Sequence, residues 1–276
     1  MHPLTAWPPD ARRRITGVFT DIDDTLTTEG AITPEALAAL AALKAAGLRL
    51  IAITGRPVGW SEPFALAWPV DAIVAENGAV ALIPRFSSQK GPQRKHSLHG
   101  PLSKLYQQDA PTRAANFARM QAVLARIERE VPGARRSADS PGRETDIAID
   151  HSEFTQLRPA QIAAVVALMA SEGMHATVSS IHINGWYGAH NKLVGARWIA
   201  GELLGRDLDA ERDRWAYVGD STNDQLMFQA FANSVGVANI ARFVPQLAHL
   251  PRYITPSERG AGFAEVAAAI LAVRGG

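Results

Sequence analysis

The sequence predicts an α/β protein: a parallel sheet covered by helices on both faces and interrupted by an inserted α+β segment. Short apolar runs alternate with helix-forming stretches over residues 1–83 and again over residues 189–276. This alternation is typical of a parallel sheet that is buried on both faces. Residues 84–188 instead contain strand-length segments that suit an antiparallel sheet with one open face. We therefore expect a core formed by residues 1–83 and 189–276, and an inserted domain formed by residues 84–188.

The first part of the core begins with an apolar run that leads into an acidic pair. A helix is predicted over residues 35–46, because Thr33 is a favourable N-cap, Pro34 stands at the first helical position and Gly47 suits the helix end. The apolar runs around this helix have the length of buried strands. The predicted strands of this part are residues 15–19, 48–53 and 70–75.

The insertion differs in composition. Pro, Gly and polar residues accumulate over residues 84–111, which indicates a loop or the beginning of an inserted domain. Residues 145–150 alternate polar and apolar side chains, which predicts a half-exposed strand. The other expected elements of the insertion are helices over residues 113–130 and 159–172 and a strand over residues 175–183. The core then resumes with helices over residues 192–204 and 223–232, strands over residues 215–218 and 234–238, and a final helix from about Phe263.

Composition excludes several classes of function. The 276 residues carry a net charge of +1, which gives no strong field toward nucleic acid or an anionic membrane. Cysteine is absent, so disulfides and thiolate metal sites are excluded. The longest apolar run, residues 162–170, is far shorter than the roughly 20 residues of a membrane span. The N-terminal segment lacks the apolar centre of a secretory signal, and its arginines at residues 12–14 fit a solvated leader. We expect a cytoplasmic protein that binds neither nucleic acid nor membrane, and the oligomeric state is left open.

The most informative segment is Asp21-Ile22-Asp23, directly after the first predicted strand. Strand side chains alternate between faces, so Asp21 and Asp23 can lean to the same side of the strand end. Two carboxylates on the same side of a strand end repel each other, and they stay ionised most easily beside a divalent cation. The pair therefore suits a metal-assisted aspartate nucleophile.

Three further polar clusters follow or open predicted core elements. They are Thr54-Gly55-Arg56, Lys192 and the segment Gly-Asp-Ser-Thr-Asn-Asp at residues 219–224. Each alone has a plain structural explanation, as a turn, an exposed lysine or a helix N-terminus. Ligands of open α/β sheets bind at the carboxyl ends of the strands, where these clusters are expected. Together, two acid pairs, a hydroxyl and a lysine are the parts of a phosphoryl-transfer site.

In their order and spacing the clusters resemble the motifs of the haloacid dehalogenase (HAD) superfamily. The DIDDT of residues 21–25 resembles its DxDxT, the ITGR of residues 53–56 its threonine motif, and the GDSTND of residues 219–224 its GDxxND. The AENGA of residues 75–79 resembles the turn before the large cap of subfamily IIB, and Asn191-Lys192 resembles the lysine motif after it. That subfamily contains the Cof-type, sucrose-phosphate and mannosyl-3-phosphoglycerate phosphatases. The resemblance implies a Rossmann-like core with an inserted α+β cap of type C2B.

The resemblance implies a role for each motif residue. Asp21 would be the nucleophile that forms an aspartyl-phosphate. Asp23 would protonate the leaving alcohol and then deprotonate the attacking water. Thr54 and Lys192 would bind the transferring phosphoryl group, and Gly55 and Asn223 would add contacts near it.

The same resemblance implies a Mg²⁺ site. Asp21, Asp220 and the backbone carbonyl of Asp23 would bind the ion, and Asp224 would orient it as a further carboxylate. Asp24 departs from the family pattern, because many members have Gly at that position, and it adds negative charge nearby. The long polar segment over residues 84–111 is a second departure from the family pattern.

The cap of such a protein contacts the part of the substrate that is not phosphate. Arg143 is a candidate partner for a second anionic group, and His182 and Asn184 have the spacing of a strand that binds sugar hydroxyls. Glu144 and Trp186 are further candidates. The alternative is that His182 and Asn184 are cap surface and that Trp186 is a packing residue.

The expected function is that of a Mg²⁺-dependent phosphatase that hydrolyses a small phosphorylated metabolite. A sugar phosphate is the expected substrate. A phosphomutase or phosphotransferase on the same scaffold is the first alternative, and its product would be an isomer rather than inorganic phosphate. A receiver-like signalling domain is a second, but such domains are shorter and lack an inserted cap and a GDxxND. A non-catalytic phosphate-binding protein is a third, although both Asp21 and Asp23 are present. His190, close to Lys192, is expected to be a turn residue rather than a general base.

Overall fold

The structure, a computed structural model, describes residues 1–85 and 101–274. Its strands in chain order are β1 (His2–Pro3), β2 (Gly17–Thr20), β3 (Thr27–Thr28), β4 (Ala31–Ile32), β5 (Arg49–Ile53), β6 (Ala72–Ala75), β7 (Val80–Pro84), β8 (Leu102–Tyr106), β9 (Arg135–Arg136), β10 (Ile147–Asp150), β11 (His175–Val178), β12 (His182–Trp186), β13 (Trp215–Gly219), β14 (Asn233–Gly236) and β15 (Tyr253–Ile254). Its α-helices are α1 (Pro9–Arg14), α2 (Pro34–Ala45), α3 (Val58–Ala67), α4 (Ala110–Glu130), α5 (Pro159–Ser171), α6 (Lys192–Leu204), α7 (Gln225–Ala230) and α8 (Arg259–Leu271).

The larger sheet has nine strands in the order β1-β15-β14-β13-β2-β5-β6-β7-β8. The pairs from β1 to β6 are parallel, and β7 and β8 extend the sheet in antiparallel fashion. The central strand β2 lies between β13 and β5, which come from opposite ends of the chain. The α/β class with a mostly parallel core sheet is therefore confirmed.

Both faces of this sheet are buried, as the uninterrupted apolar runs predicted. On β2, Val18 packs in one hydrophobic cluster with α2 and α8, whereas Phe19 packs in the other with α6 and α7. Strand side chains alternate between faces, so one short strand supplies both layers of the core. Each fully buried Val or Phe contributes roughly 1.5–3 kcal/mol of burial free energy.

A second, antiparallel sheet lies within the predicted insertion, which we call the cap, and its strand order is β11-β12-β10-β9. Helices α4 and α5 cover one face of it through a cluster that includes Met120, Ile127 and Val165. The prediction that residues 145–150 form a half-exposed strand is wrong, because all four residues of β10 are buried. Its polar side faces the core rather than solvent: Asp146, just before β10, binds Arg143, and Arg143 reaches the Gly55 carbonyl of the core.

Two other predicted elements are also corrected. Residues 175–183, expected as one strand, form parts of β11 and β12 in a hairpin. Ser179 closes the hairpin, since its Oγ accepts the His182 N–H at 3.0 Å and its own N–H donates to the His182 carbonyl at 2.8 Å. The helix expected over residues 223–232 is a 3₁₀ turn, Thr222–Asp224, followed by the short α7.

One strand of the predicted insertion joins the larger sheet. Strand β8 pairs with β7 along its full length, so it belongs to the larger sheet although it lies within the predicted insertion of residues 84–188. Part of the polar segment 84–111, namely residues 86–100, lies outside the described residues. Within the described part of the chain, no helix has the length and apolar character needed to cross a membrane.

Candidate active site

Three neighbouring strands of the core sheet bring the sequence motifs to one edge. In register, Thr20 of β2 lies beside Ala52 of β5 and Val218 of β13. Asp21, Thr54 and Asp220 follow these positions by one or two residues, at the carboxyl ends of three adjacent parallel strands. This edge is the place where open α/β sheets bind ligands.

Lys192 is the first residue of α6 and joins two of the acidic motifs. Its Nζ lies 2.8 Å from Asp21 Oδ1 and 2.7 Å from Asp224 Oδ1, and all three side chains are buried. Asn191 starts the helix as its N-cap, because its side-chain oxygen accepts the Val194 N–H at 2.9 Å. Burial lowers the pKa of Lys192, but the two carboxylates more than offset this and raise it above the ordinary value. The lysine is therefore charged in the site.

Asp21, Asp220 and Asp224 form a buried acidic group whose oxygens all lie within 4.8 Å of one another. Burial raises the pKa of Asp21 to about 8, although Lys192 acts in the opposite direction. Burial also raises the pKa of Asp220 well above its ordinary value, and Asp21 and Asp224 raise it further. Ionising all three carboxyl groups beside the single ammonium group of Lys192 is therefore unfavourable without a further cation.

The donor set of this group fits a metal cation. Asp220 Oδ2 accepts from Asn239 Nδ2 at 3.0 Å, but Asp220 Oδ1 is buried without a hydrogen-bond partner among the described residues. Asp224 is held differently, because its Oδ2 accepts the N–H groups of Asp220 and Ser221 at 2.9 and 3.1 Å. A cluster of carboxylate oxygens without sulfur or nitrogen suits a hard divalent cation.

Asp23 is not part of this acidic group and pairs with Arg56 instead. Its Oδ1 accepts a hydrogen bond from Arg56 Nε at 2.8 Å, and its side chain keeps 13% of its exposure. Its predicted contribution to the metal site, through the backbone carbonyl, stays a prediction. The neighbouring Asp24 is in the left-handed region, with φ of 53°, which favours glycine. Arg242 and Arg259 pair with its carboxylate at 2.7 and 3.1 Å, so its added charge is offset.

The threonine motif lies between core and cap. Thr54 is fully buried, and its Oγ1 accepts the Arg56 N–H at 3.0 Å. The Gly55 carbonyl accepts from two cap side chains, Arg143 at 3.1 Å and Asn184 at 3.3 Å. Asn223, in the turn after β13, accepts from Ser221 Oγ at 2.9 Å. Contacts of these residues with a phosphoryl group stay predictions.

Three cap residues singled out in the sequence lie on the inner side of the cap and are buried. Arg143 binds Asp146 at 2.8 Å and Asp139 at 3.0 Å, and Asn184 binds the same Asp146 at 2.9 Å. His182 Nε2 lies 2.9 Å from Glu153 Oε2. A second anionic group of a substrate would have to exchange with one of the carboxylates that already engage Arg143.

The other two cap candidates, Glu144 and Trp186, make structural contacts. Glu144 binds Lys104 at 3.0 Å and Tyr106 at 2.6 Å on β8. Trp186 is buried, stacks on His190 with ring centroids 5.4 Å apart and donates to the His190 carbonyl at 3.0 Å. Burial lowers the pKa of His190 to about 4, so this ring is neutral at physiological pH.

Sequence reasoning missed three charged residues that connect core and cap. Arg56 was noted only as part of its motif, and Glu76 and Glu153 were not singled out. Arg56 pairs with Asp23, Asp139 and Glu153, and Glu76 binds four donors of α3 and the cap. The AENGA motif contained a signal for Glu76, but nothing in the local sequence of Glu153 indicates its partner nearly a hundred residues away.

Comparison with known families agrees with this arrangement. Residues 18–98 match the family model of haloacid dehalogenase-like hydrolases. No curated protein sequence matches the chain. The family resemblance inferred from the motifs is therefore confirmed over residues 18–98, which contain the DIDDT, ITGR and AENGA segments.

Several solved structures share the fold over almost the whole chain. A HAD/COF-like hydrolase from Plasmodium vivax is 16% identical with a TM-score of 0.66, covering 96% of this chain and 99% of its own. A sucrose-phosphatase from Synechocystis sp. PCC6803, in complex with sucrose and phosphate, is 16% identical with a TM-score of 0.63, covering 94% and 98%. A sugar phosphatase of HAD subclass IIB is 15% identical with a TM-score of 0.59, covering 94% and 99%. The chain therefore shares the α/β fold of these proteins over almost its whole length.

Proposed function

We propose that the protein is a Mg²⁺-dependent phosphatase that hydrolyses a small phosphomonoester, specifically a sugar phosphate, through an aspartyl-phosphate at Asp21. The observation that carries the proposal is the contact of Asp21 with Lys192 inside the group completed by Asp220 and Asp224. This contact brings together a nucleophilic carboxylate, the buried ammonium group of Lys192 and a set of carboxylate oxygens that would hold Mg²⁺. Two structures with the same fold are of sugar phosphatases, which supports the substrate class.

The residues divide the chemistry between them. Asp21 attacks phosphorus while the bond from phosphorus to the leaving alcohol breaks, and Asp23 gives a proton to that alcohol oxygen. A water then attacks phosphorus, Asp23 takes its proton, and Asp21 leaves as a carboxylate. The ammonium of Lys192 stabilises the negative charge of the transferring group. Mg²⁺, held by Asp21, Asp220 and Asp224, would supply charge that offsets the repulsion between nucleophile and phosphate.

The test is release of inorganic phosphate from a panel of sugar phosphates in the presence of Mg²⁺. We expect turnover that is lost in excess chelator and restored by added Mg²⁺. Asp21→Asn should abolish turnover while leaving the circular dichroism spectrum unchanged. Asp10→Asn is the matched control, because Asp10 is an exposed aspartate whose partner is Arg13. Full activity in chelator, or undiminished turnover by Asp21→Asn, would refute the proposal, and an isomeric sugar phosphate as product would show a mutase.

A further inference from the structure

Arg56 joins one carboxylate of the core to two carboxylates of the cap. Its Nε lies 2.8 Å from Asp23 Oδ1, one terminal nitrogen lies 3.3 Å from Asp139 Oδ2, and the other lies 2.9 Å from Glu153 Oε1. We propose that Arg56, held by these two cap carboxylates, is a positioning residue that fixes the orientation of Asp23. The inference rests on the proposed function, in which Asp23 is the proton donor and acceptor.

The guanidinium itself is held firmly. Arg56 is 4% exposed, its guanidinium lies 4.9 Å from the centre of the Trp60 ring, and its backbone N–H donates to Thr54 Oγ1. A planar guanidinium offers its donors in a rigid fork, so three carboxylate partners together define its plane and its rotation. A lysine at this position would supply charge but not that geometry.

The two cap carboxylates are in turn fixed by the cap. Asp150 accepts the backbone N–H groups of residues 152–155 at 2.9 to 3.1 Å, and this holds the loop that carries Glu153. The second oxygen of Glu153 binds His182. Asp139 accepts from Ser137 Oγ at 2.6 Å and from Arg143 at 3.0 Å. The orientation of Arg56 is therefore determined by the inner surface of the cap.

This arrangement has a defined chemical consequence. With Oδ1 of Asp23 engaged by Arg56, Oδ2 is the oxygen that exchanges the proton. In the first step the proton moves from Asp23 to the leaving oxygen, the electron pair of the breaking bond stays on that oxygen, and Arg56 keeps all its protons. A misplaced Asp23 therefore slows departure of an alcohol, which needs the proton, far more than departure of nitrophenolate, which does not.

The experiment compares kcat/KM for glycerol phosphate and for 4-nitrophenyl phosphate, because kcat/KM reports the steps up to departure of the first product. For Arg56→Ala we expect a fall of about 10²-fold with glycerol phosphate, in the range of general-acid effects, and less than about tenfold with the nitrophenyl ester. Glu153→Gln should show the same selectivity to a smaller extent. Added guanidinium should restore part of the glycerol phosphate activity of Arg56→Ala but not of Glu153→Gln.

Glu128→Gln is the matched control, because it removes a carboxylate that pairs with Arg136 elsewhere in the cap. It should leave kcat/KM unchanged for both esters. Equal losses on both esters in Arg56→Ala and Glu153→Gln would overturn the inference, because they would indicate a role in binding or folding only. If Arg56→Ala does not fold, the same comparison is made with Arg56→Lys and Glu153→Gln. The measured quantity is again the loss of kcat/KM with glycerol phosphate relative to the loss with 4-nitrophenyl phosphate. A wild-type protein inactive on every phosphomonoester would refute the proposed function itself.

Discussion

The backbones of Gly78 and Gly195 touch, so that a Cβ built on Gly195 would lie 2.6 Å from Gly78 Cα. Gly78 ends the 3₁₀ turn after β6 with φ of 108°, in the region that favours glycine. Gly195 lies one turn into α6, the helix that begins with Lys192. The two glycines therefore allow α6 to approach the sheet edge closely enough for Lys192 to reach Asp21.

Replacing Gly195 by alanine should displace this helix. Since the added methyl group meets backbone rather than a flexible side chain, we expect Gly195→Ala to lower the free energy of unfolding by about 1–3 kcal/mol. Activity should fall as well, because Lys192 moves with its helix. Urea titration and phosphate release measure the two effects. Gly201→Ala in the same helix is the control: its Cβ would meet open space, and it should be neutral or stabilising.

Neutralising Asp220 should stabilise the metal-free protein. Asp220 is fully buried among like charges, and one of its oxygens has no hydrogen-bond partner among the described residues. We expect Asp220→Asn to raise the Tm in chelator by roughly 2–4 °C, which corresponds to about 1 kcal/mol in a chain of this size. Added Mg²⁺ should raise the Tm of the wild type but not that of the variant.

Asp213→Asn serves as the comparison for that measurement, because Asp213 is an exposed aspartate at the periphery of the core. It should keep the wild-type response to Mg²⁺. An Asp220→Asn protein that is still stabilised by Mg²⁺ to the wild-type extent would show that the acidic group is not the metal site.

Glu76 should be essential for the attachment of the cap. Its buried carboxylate accepts the N–H groups of Val58 at 3.1 Å, Glu144 at 2.9 Å and Thr145 at 2.5 Å, and also the Thr145 hydroxyl. Glu76→Gln places an amide donor where these donors converge. We expect it to lower the free energy of unfolding by about 2–4 kcal/mol, since buried N–H groups lose their acceptors.

Hydrogen exchange would locate that effect. Protection should fall at Glu144 and Thr145 in Glu76→Gln. The control Glu130→Gln loses only exposed pairs with Arg126 and Arg129 and should change the free energy of unfolding by less than about 0.5 kcal/mol. Unchanged protection at the two cap residues would contradict the role of Glu76.

His190 should make stability depend on pH between about 4 and 6.5. Burial lowers its pKa from 6.5 to about 4, so within this window the unfolded chain binds the proton and the folded protein does not. The stabilisation is therefore complete above the unfolded pKa and is lost as the pH falls toward the folded one. The difference amounts to about 3 kcal/mol for a ring that is almost fully buried.

His190→Phe keeps an aromatic ring beside Trp186 and removes the titration. Over pH 7 to 4 the wild type should lose about 3 kcal/mol more than this variant in urea titrations. His2→Gln, at an exposed histidine, should follow the wild type. Parallel pH curves for the wild type and His190→Phe would show that the ring is protonated as easily in the folded protein as in the unfolded chain.

The sequence predicted the parts of this protein that depend on local order. Apolar runs such as residues 48–53 must be buried on both sides, so the parallel core and its carboxyl edge followed, and with them the clusters at Asp21, Thr54, Lys192 and Asp220. The same reasoning failed for residues 145–150, because alternation cannot show that a polar strand face is buried against another domain. It also failed for β8, whose membership of the larger sheet depends on its partner β7.

The sequence by itself therefore determined the fold class and the residues of the candidate site, because these follow from periodicity and from positions next to strand ends. Only the tertiary structure decided that Asp23 pairs with Arg56, and that the cap carboxylates of Asp139 and Glu153 hold Arg56. Such pairs join residues separated by 33 to 97 positions. Their geometry depends on how the core sheet and the cap sheet pack against each other, and this packing cannot be predicted from local sequence.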